Sequence, residues 1–122
     1  MIFEWRTYRF APGAAAAYLA TFQAEGLPLV TRHLPLLGYW LTECGRLNVL
    51  HHFWVYADLD DRAARRAALA ADADWSAGFG PRAFPMIERQ EARSASPRRS
   101  RRPATRAQRS PATLPRCRRP GR

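Results

Sequence analysis

The sequence predicts an α+β fold of order β-α-β-β-α-β: a four-stranded antiparallel sheet with helices on one face, the ferredoxin-like arrangement. Three observations predict it. The chain opens on an alternating, aromatic-rich run, "MIFEWRTYRF". Two more alternating runs, "LLGYWLTEC" and "LNVLHHFWVYA", flank Gly45-Arg46 as the arms of a hairpin. Two Ala-rich segments with helix punctuation separate these strands from each other and from a last strand that begins at "MIERQEAR".

Each element has its own reason. In the first strand Glu4, Arg6 and Tyr8 point one way and Phe3, Trp5 and Thr7 the other. "APGAAAAYLATFQAEG" reads as a helix: Pro12 sits where a first-turn proline is tolerated, Ala dominates, and Gly26 closes it. Tyr18, Leu19 and Phe22 form its buried stripe. "LPLVTRHLP" adds a short helical turn ending before Pro35. Gly45-Arg46 fits a two-residue hairpin loop with Gly first. "DLDDRAARRAALAAD" is a helix capped by Asp58 or Asp60, with acid-before-base pairs Asp58–Arg62 and Asp61–Arg65. "DWSAGFGPRAFP" is a short helix or loop.

The net charge of +10 is not spread over the chain. Residues 1–93 hold 10 Arg against 10 Asp and Glu, whereas 94–122 hold 10 Arg and no acid. A neutral domain, 1–93, therefore carries a basic appendage, 94–122. The appendage has five Pro, one Leu and no aromatic, too little apolar surface to offset about 1–2 kcal/mol of ordering entropy per residue, and is expected to be disordered. Two origins fit it. One is a selected basic arm that binds nucleic acid or acidic surfaces with steep salt dependence. The other is a frameshifted end, since the chain lacks Lys, is rich in Ala and Arg, and switches composition abruptly after Arg93. Cys44 and Cys117 make neither a metal spacing nor a disulfide framework. The charged N-terminus is no signal peptide and no apolar run reaches a membrane span, so a cytoplasmic setting is expected.

The stretch "TECGRLNVLHHFWVY" gathers the chemistry. With Gly45-Arg46 as the loop, Glu43 opposes Asn48, Leu41 opposes Leu50, Tyr39 opposes His52 and Leu37 opposes Trp54. One face then collects Tyr39, Glu43, Asn48, His52, Trp54 and Tyr56, joined by Glu4, Arg6 and Tyr8 from the first strand. The other carries Gly38, Trp40, Thr42, Val49, His51, Phe53 and Val55, is the more apolar, and is expected to pack on the helices. The adjacent histidines face opposite ways and cannot share a metal, and no cofactor is implied. His51 reads as a partly buried histidine against Trp40. For His52 two readings stand. It holds the hairpin together in a satisfied network with Glu43 and Asn48, or it serves as acid or base in a ligand site formed with Arg6, Tyr8, Tyr39, Glu43, Asn48 and Trp54. "GFGPRA" follows no strand and is a loop rather than a dinucleotide fingerprint.

These residues resemble a family. "MIFEWRTYRFAPG", "RHLPLLGYW", "TECGRLNVLHHFWVYADLDDRAARRAAL", "DADW" and "FPMIERQEAR", in order from Met1 to about Arg93, look like a NIPSNAP-type domain. The most specific match is Glu43, Gly45, Leu47, Asn48, His52, Trp54 and Tyr56, followed by Asp61, Arg62 and Arg66. The resemblance implies a dimeric α+β barrel, hence a homodimer, with small ligands taken between sheet and helices or inside the barrel. Related barrels include antibiotic-biosynthesis-type monooxygenases and isomerases, so a cofactor-independent monooxygenase or isomerase acting on a small aromatic or polyketide-like substrate is the enzymatic alternative. The family has no settled reaction, and its eukaryotic members are associated with mitochondria and vesicular transport as interaction proteins. Two departures stand out: His51 replaces a usual aliphatic residue, and the family's apolar strand end after "QEAR" is missing.

Overall fold

The computed structural model describes residues 1–97. The readings of residues 98–122 as an unfolded tail or a nucleic-acid arm lie outside the described residues. The elements are β1 (Ile2–Phe10), α1 (Ala14–Thr21), α2 (Leu27–His33), β2 (Leu36–Leu41), β3 (Val49–Tyr56), α3 (Leu59–Ala71), α4 (Gly80–Ala83) and β4 (Ile87–Ala95). The strands form one antiparallel sheet of order β2-β3-β1-β4, with the helices on one face. This is the expected ferredoxin-like arrangement. β4 does not stop at Arg93 but runs through Ser94 to Ala95, matching the nine residues of β1. Among the described residues no helix is long and apolar enough to cross a membrane.

The core lies between sheet and helices. Tyr18, Phe22, Val30, Leu69, Phe79 and Ala83 from the helical layer pack on Phe10, Leu50, Trp54 and Tyr56 from the strands. Gly26 does not close the first helix as expected. The chain runs on through a π-helical turn, Phe22–Gly26, straight into α2, with Gly26 at an ordinary helical φ of −70°. Its role is close approach: a Cβ there would sit 2.6 Å from Cζ of Phe79, in the facing π-helical turn Asp74–Phe79. Pro28 stands at the start of α2, directly after the π-helical turn. At α3, Asp58 is the N-cap and accepts from the Asp61 N–H at 2.8 Å. Asp61 pairs with Arg65 at 2.7 Å as expected, but Arg62 turns away from Asp58 toward the sheet.

The hairpin keeps the expected register at its centre, with Leu41 opposite Leu50 and Tyr39 opposite His52. It departs at both ends. A bulge between Leu36 and Gly38 places Leu36, not Leu37, opposite Trp54. The Trp40 ring folds over Gly38, 2.6 Å from where a Cβ would be. At the tip the tight turn is replaced by a wider loop: the Thr42 N–H closes the hairpin on the Val49 carbonyl at 2.9 Å, and the Asn48 carbonyl accepts from the Phe10 N–H of β1 at 2.9 Å. Asn48 and Gly45 adopt positive φ of 59° and 90°. The expected Glu43–Asn48 pair is not formed.

The packing face is the reverse of the one expected. Leu50, His52, Trp54 and Tyr56 are buried against the helices, while His51, Phe53 and Val55 lie on the open face and are only half-buried. The aliphatic count misled because α3 brings its own cations over the sheet. These neutralise the carboxylate on the polar-looking face, and the large rings there bury more area than the Val side chains opposite.

Candidate functional site

Glu4, the third residue of β1, has no exposed surface. An isolated carboxylate could not stay ionised there. Strand alternation brings Arg6 onto the same face, and α3 lays Arg62 and Arg66, one turn apart, over it. Glu4 Oε1 accepts from Arg6 Nε and from Arg66 Nη2, both at 2.7 Å, and Oε2 accepts from Arg62 Nε. Burial alone would raise the Glu4 carboxyl. The hydrogen bonds from Arg62 and Arg6, with the charge of Arg66, reverse this and hold it below its ordinary value.

Beside this clamp is a cavity of about 250 Å³ between sheet and helices. Arg6, Tyr8, His52 and Trp54 line it from the sheet, and Arg66 and Leu69 from α3. Its far wall is aromatic and aliphatic, with Phe22, Val30 and Trp75. His52 is 1% exposed and Trp54 3%. Their rings stack at 6.0 Å, and the Arg66 guanidinium lies over the Trp54 ring, 5.4 Å from its centroid. Three buried nitrogens of this lining have no partner: His52 Nδ1, Trp54 Nε1 and Arg66 Nε. Burial, then the charges of Arg6 and Arg66, push the His52 pKa down to about 3, so its imidazole is neutral at pH 7.

Four of the seven residues singled out by sequence meet here: Arg6, Tyr8, His52 and Trp54. Tyr39 is adjacent but outside the lining. Its ring stacks with His52 at 6.1 Å and its hydroxyl accepts from Gln23 Nε2 at 3.3 Å. Glu43 and Asn48 are elsewhere, Glu43 exposed in the loop and Asn48 bound through its carbonyl to β1. The satisfied network of His52 with Glu43 and Asn48 is therefore absent, because the widened loop carries both away. Sequence reasoning missed Arg66 and Arg62 as site residues. Their signal is two arginines four apart on one helix face, but the local pairing of Arg62 with Asp58 and of Asp61 with Arg65 draws attention away from it.

The open sheet face has a different character. Trp5 is 44% and Trp40 52% exposed. His51 lies among them with its nitrogens partnered. Trp5 Nε1–H can only donate, so it fixes His51 Nδ1 as acceptor at 2.9 Å and leaves Nε2 to meet Thr42 Oγ1 at 3.2 Å. Of the two adjacent histidines, the one on the open face is satisfied and the one in the cavity is not.

Comparison with known proteins agrees with this architecture. The NIPSNAP family model matches residues 3–101. Protein NipSnap homolog 3B of Mus musculus is 36% identical over 90 residues, covering 73% of this chain and 36% of the mouse protein. Protein NipSnap homolog 3A of Homo sapiens is 34% identical over 92 residues, covering 75% and 37%. The chain thus spans little more than a third of the length of these curated relatives. Among solved structures, an uncharacterized NIPSNAP domain protein from Burkholderia xenovorans is 41% identical with a TM-score of 0.77, over 80% of this chain and 95% of that one. A putative antibiotic biosynthesis monooxygenase from Caulobacter crescentus shares the fold, with a TM-score of 0.58 at 17% identity over 80% and 90%. A family match across nearly all the described residues, joined to a sheet and helix order of the same kind, leaves one conclusion: the chain belongs to the NIPSNAP family.

Proposed function

We propose that this chain binds a small organic molecule in the cavity beneath α3, and that it does so as a homodimer joined through the open sheet face. The observation that carries the ligand reading is the set of three unpartnered nitrogens, on His52, Trp54 and Arg66, around a cavity of about 250 Å³. Each such buried group costs about 1–3 kcal/mol when left unmade. A ligand that supplies the missing partners offsets that cost, which makes the protein more stable when loaded than when empty. The two exposed tryptophans of the open face support the dimer. A reducing, cytoplasmic setting belongs to the same proposal, and the exposed free thiol of Cys44 is compatible with it.

Catalysis with His52 as base has less support. A general base works best with a pKa near the operating pH, and His52 is held at about 3. In the alternative, Arg6 would stabilise an enolate or phenolate while His52 moved the proton. Oxygen uptake or spectral change with hydroxyaromatics would favour that alternative over simple binding.

The test of binding uses Ala70, which lines the cavity from an exposed position on α3. Ala70→Trp should narrow the mouth without disturbing the core. Fractionated small-molecule extracts that raise the melting temperature of the wild type should fail to do so for the variant. If both proteins shift equally with every active fraction, the ligand binds elsewhere and the cavity reading is wrong.

A further inference from the structure

We propose that the cavity takes a monocarboxylate, with its head on Arg66 and Trp54 beside Arg6, and its body a single ring or short acyl chain. The proposal rests on the ligand-binding reading above and specifies its chemistry. Charge is the first reason. Three guanidiniums converge on the one carboxylate of Glu4, leaving two cations in excess. Two of the three, Arg6 and Arg66, line the cavity, and the lining contains no acid. Like charges brought together in a partly desolvated site repel unless an anion joins them.

Hydrogen-bond inventory is the second reason. The unpartnered Nε–H of Arg66 and Nε1–H of Trp54 can only donate. They belong to adjacent groups, since the guanidinium lies over the indole. Two donors match the two oxygens of a carboxylate, whereas a phosphate would call for more. Of the other two unpartnered buried atoms, Tyr56 Oη belongs to a residue outside the lining, and His52, which is within it, is neutral and adds no third cation. Size and lining give the body. A volume of about 250 Å³ falls below the roughly 300–1,000 Å³ of pockets that take drug-sized ligands. The walls away from the arginines are Phe22, Val30, Leu69 and Trp75, which suit an apolar group.

Calorimetric titration of the full chain with matched probes tests this. Phenylacetate should bind about tenfold or more tighter than phenylacetamide, because its hydrogen bonds are charge-assisted. 2-Phenylethylamine should not bind. Arg66→Gln should weaken phenylacetate far more than the amide and so remove most of the preference for the acid, while Glu4 keeps Arg6 and Arg62. Gln90→Glu, which adds an acid to the lining at an exposed position, should weaken phenylacetate in the same way without touching the clamp. An amide that binds as tightly as the acid, a preference for the acid that survives both substitutions, or benzylphosphonate binding tighter than phenylacetate would overturn the carboxylate while leaving the binding reading intact. If neither the phenyl probes nor hexanoate and hexanamide bind at millimolar concentration, the cavity is not a ligand site and both readings fall.

Discussion

His51 and His52 are neighbours in the chain and opposites in chemistry. His51 exchanges hydrogen bonds with Trp5 and Thr42 on the open face, while His52 is sealed between Tyr8, Phe22 and Trp54 with Nδ1 unpartnered. The consequence for His52 is measurable. In the unfolded chain an imidazole takes up its proton near pH 6.5, but in the folded protein His52 does so only near about 3. Between these values the unfolded state binds a proton that the native state does not, so stability falls as pH drops below 6.5 and levels off near 3. Glu4, held below its ordinary 4.5, contributes stability that is present above 4.5 and lost at still lower pH as the clamp protonates. Urea unfolding from pH 7 to 4.5 should show a shallower loss of stability for His52→Gln than for the wild type. Equal slopes would mean that His52 titrates normally and is not sealed.

At the scale of elements, Gly26 sets two effects of opposite sign against each other. Ala is favoured over Gly inside a helix by about 1 kcal/mol. Here the added methyl would meet Phe79 at 2.6 Å and Phe22 at 2.8 Å, two rings that are themselves buried. Overpacking of that kind costs about 1–3 kcal/mol, so the clash outweighs the propensity gain. Gly26→Ala should lower the unfolding free energy, read as a drop in the urea midpoint. A rise would show that the two π-helical turns can separate without cost. The hairpin between β2 and β3 shows how an element can be right at its centre and wrong at its ends. Its mid-strand register follows from side-chain alternation. The bulge at Leu36–Gly38, where the Trp40 ring covers Gly38, and the wide loop, with Gly45 and Asn48 at positive φ, break that alternation.

For the whole molecule, the open sheet face is the feature that a single copy leaves unexplained. Phe53 of β3 lies between Trp5 of β1 at 5.0 Å and Trp40 of the edge strand β2 at 4.9 Å. Monomeric proteins rarely expose an aromatic cluster of that kind on the middle of a sheet. Trp5→Glu would place a charge at the centre of the proposed dimer contact. Light scattering coupled to size exclusion should give twice the chain mass for the wild type and the single mass for the variant. A wild-type protein that runs as a monomer at micromolar concentration would remove the dimer from the proposal. The cavity lies on the other side of the sheet, so carboxylate binding and dimerisation can be read separately.

The sequence by itself determined the order of strands and helices, an aspartate cap at Asp58 or Asp60, the mid-hairpin pairing of Tyr39 with His52, and the company of Glu4, Arg6 and Tyr8 on one strand face. These depend on period, capping and alternation, which are local. Tertiary structure alone decided which face of the sheet meets the helices and which arginines enter the site. Arg62 could answer Asp58 within its own helix or Glu4 across the core. Arg66 likewise reaches Glu4 over sixty residues away, while its Nε is left free at the cavity. Only the packing of α3 on the sheet settles those choices, because a buried carboxylate demands cations more strongly than an exposed one does.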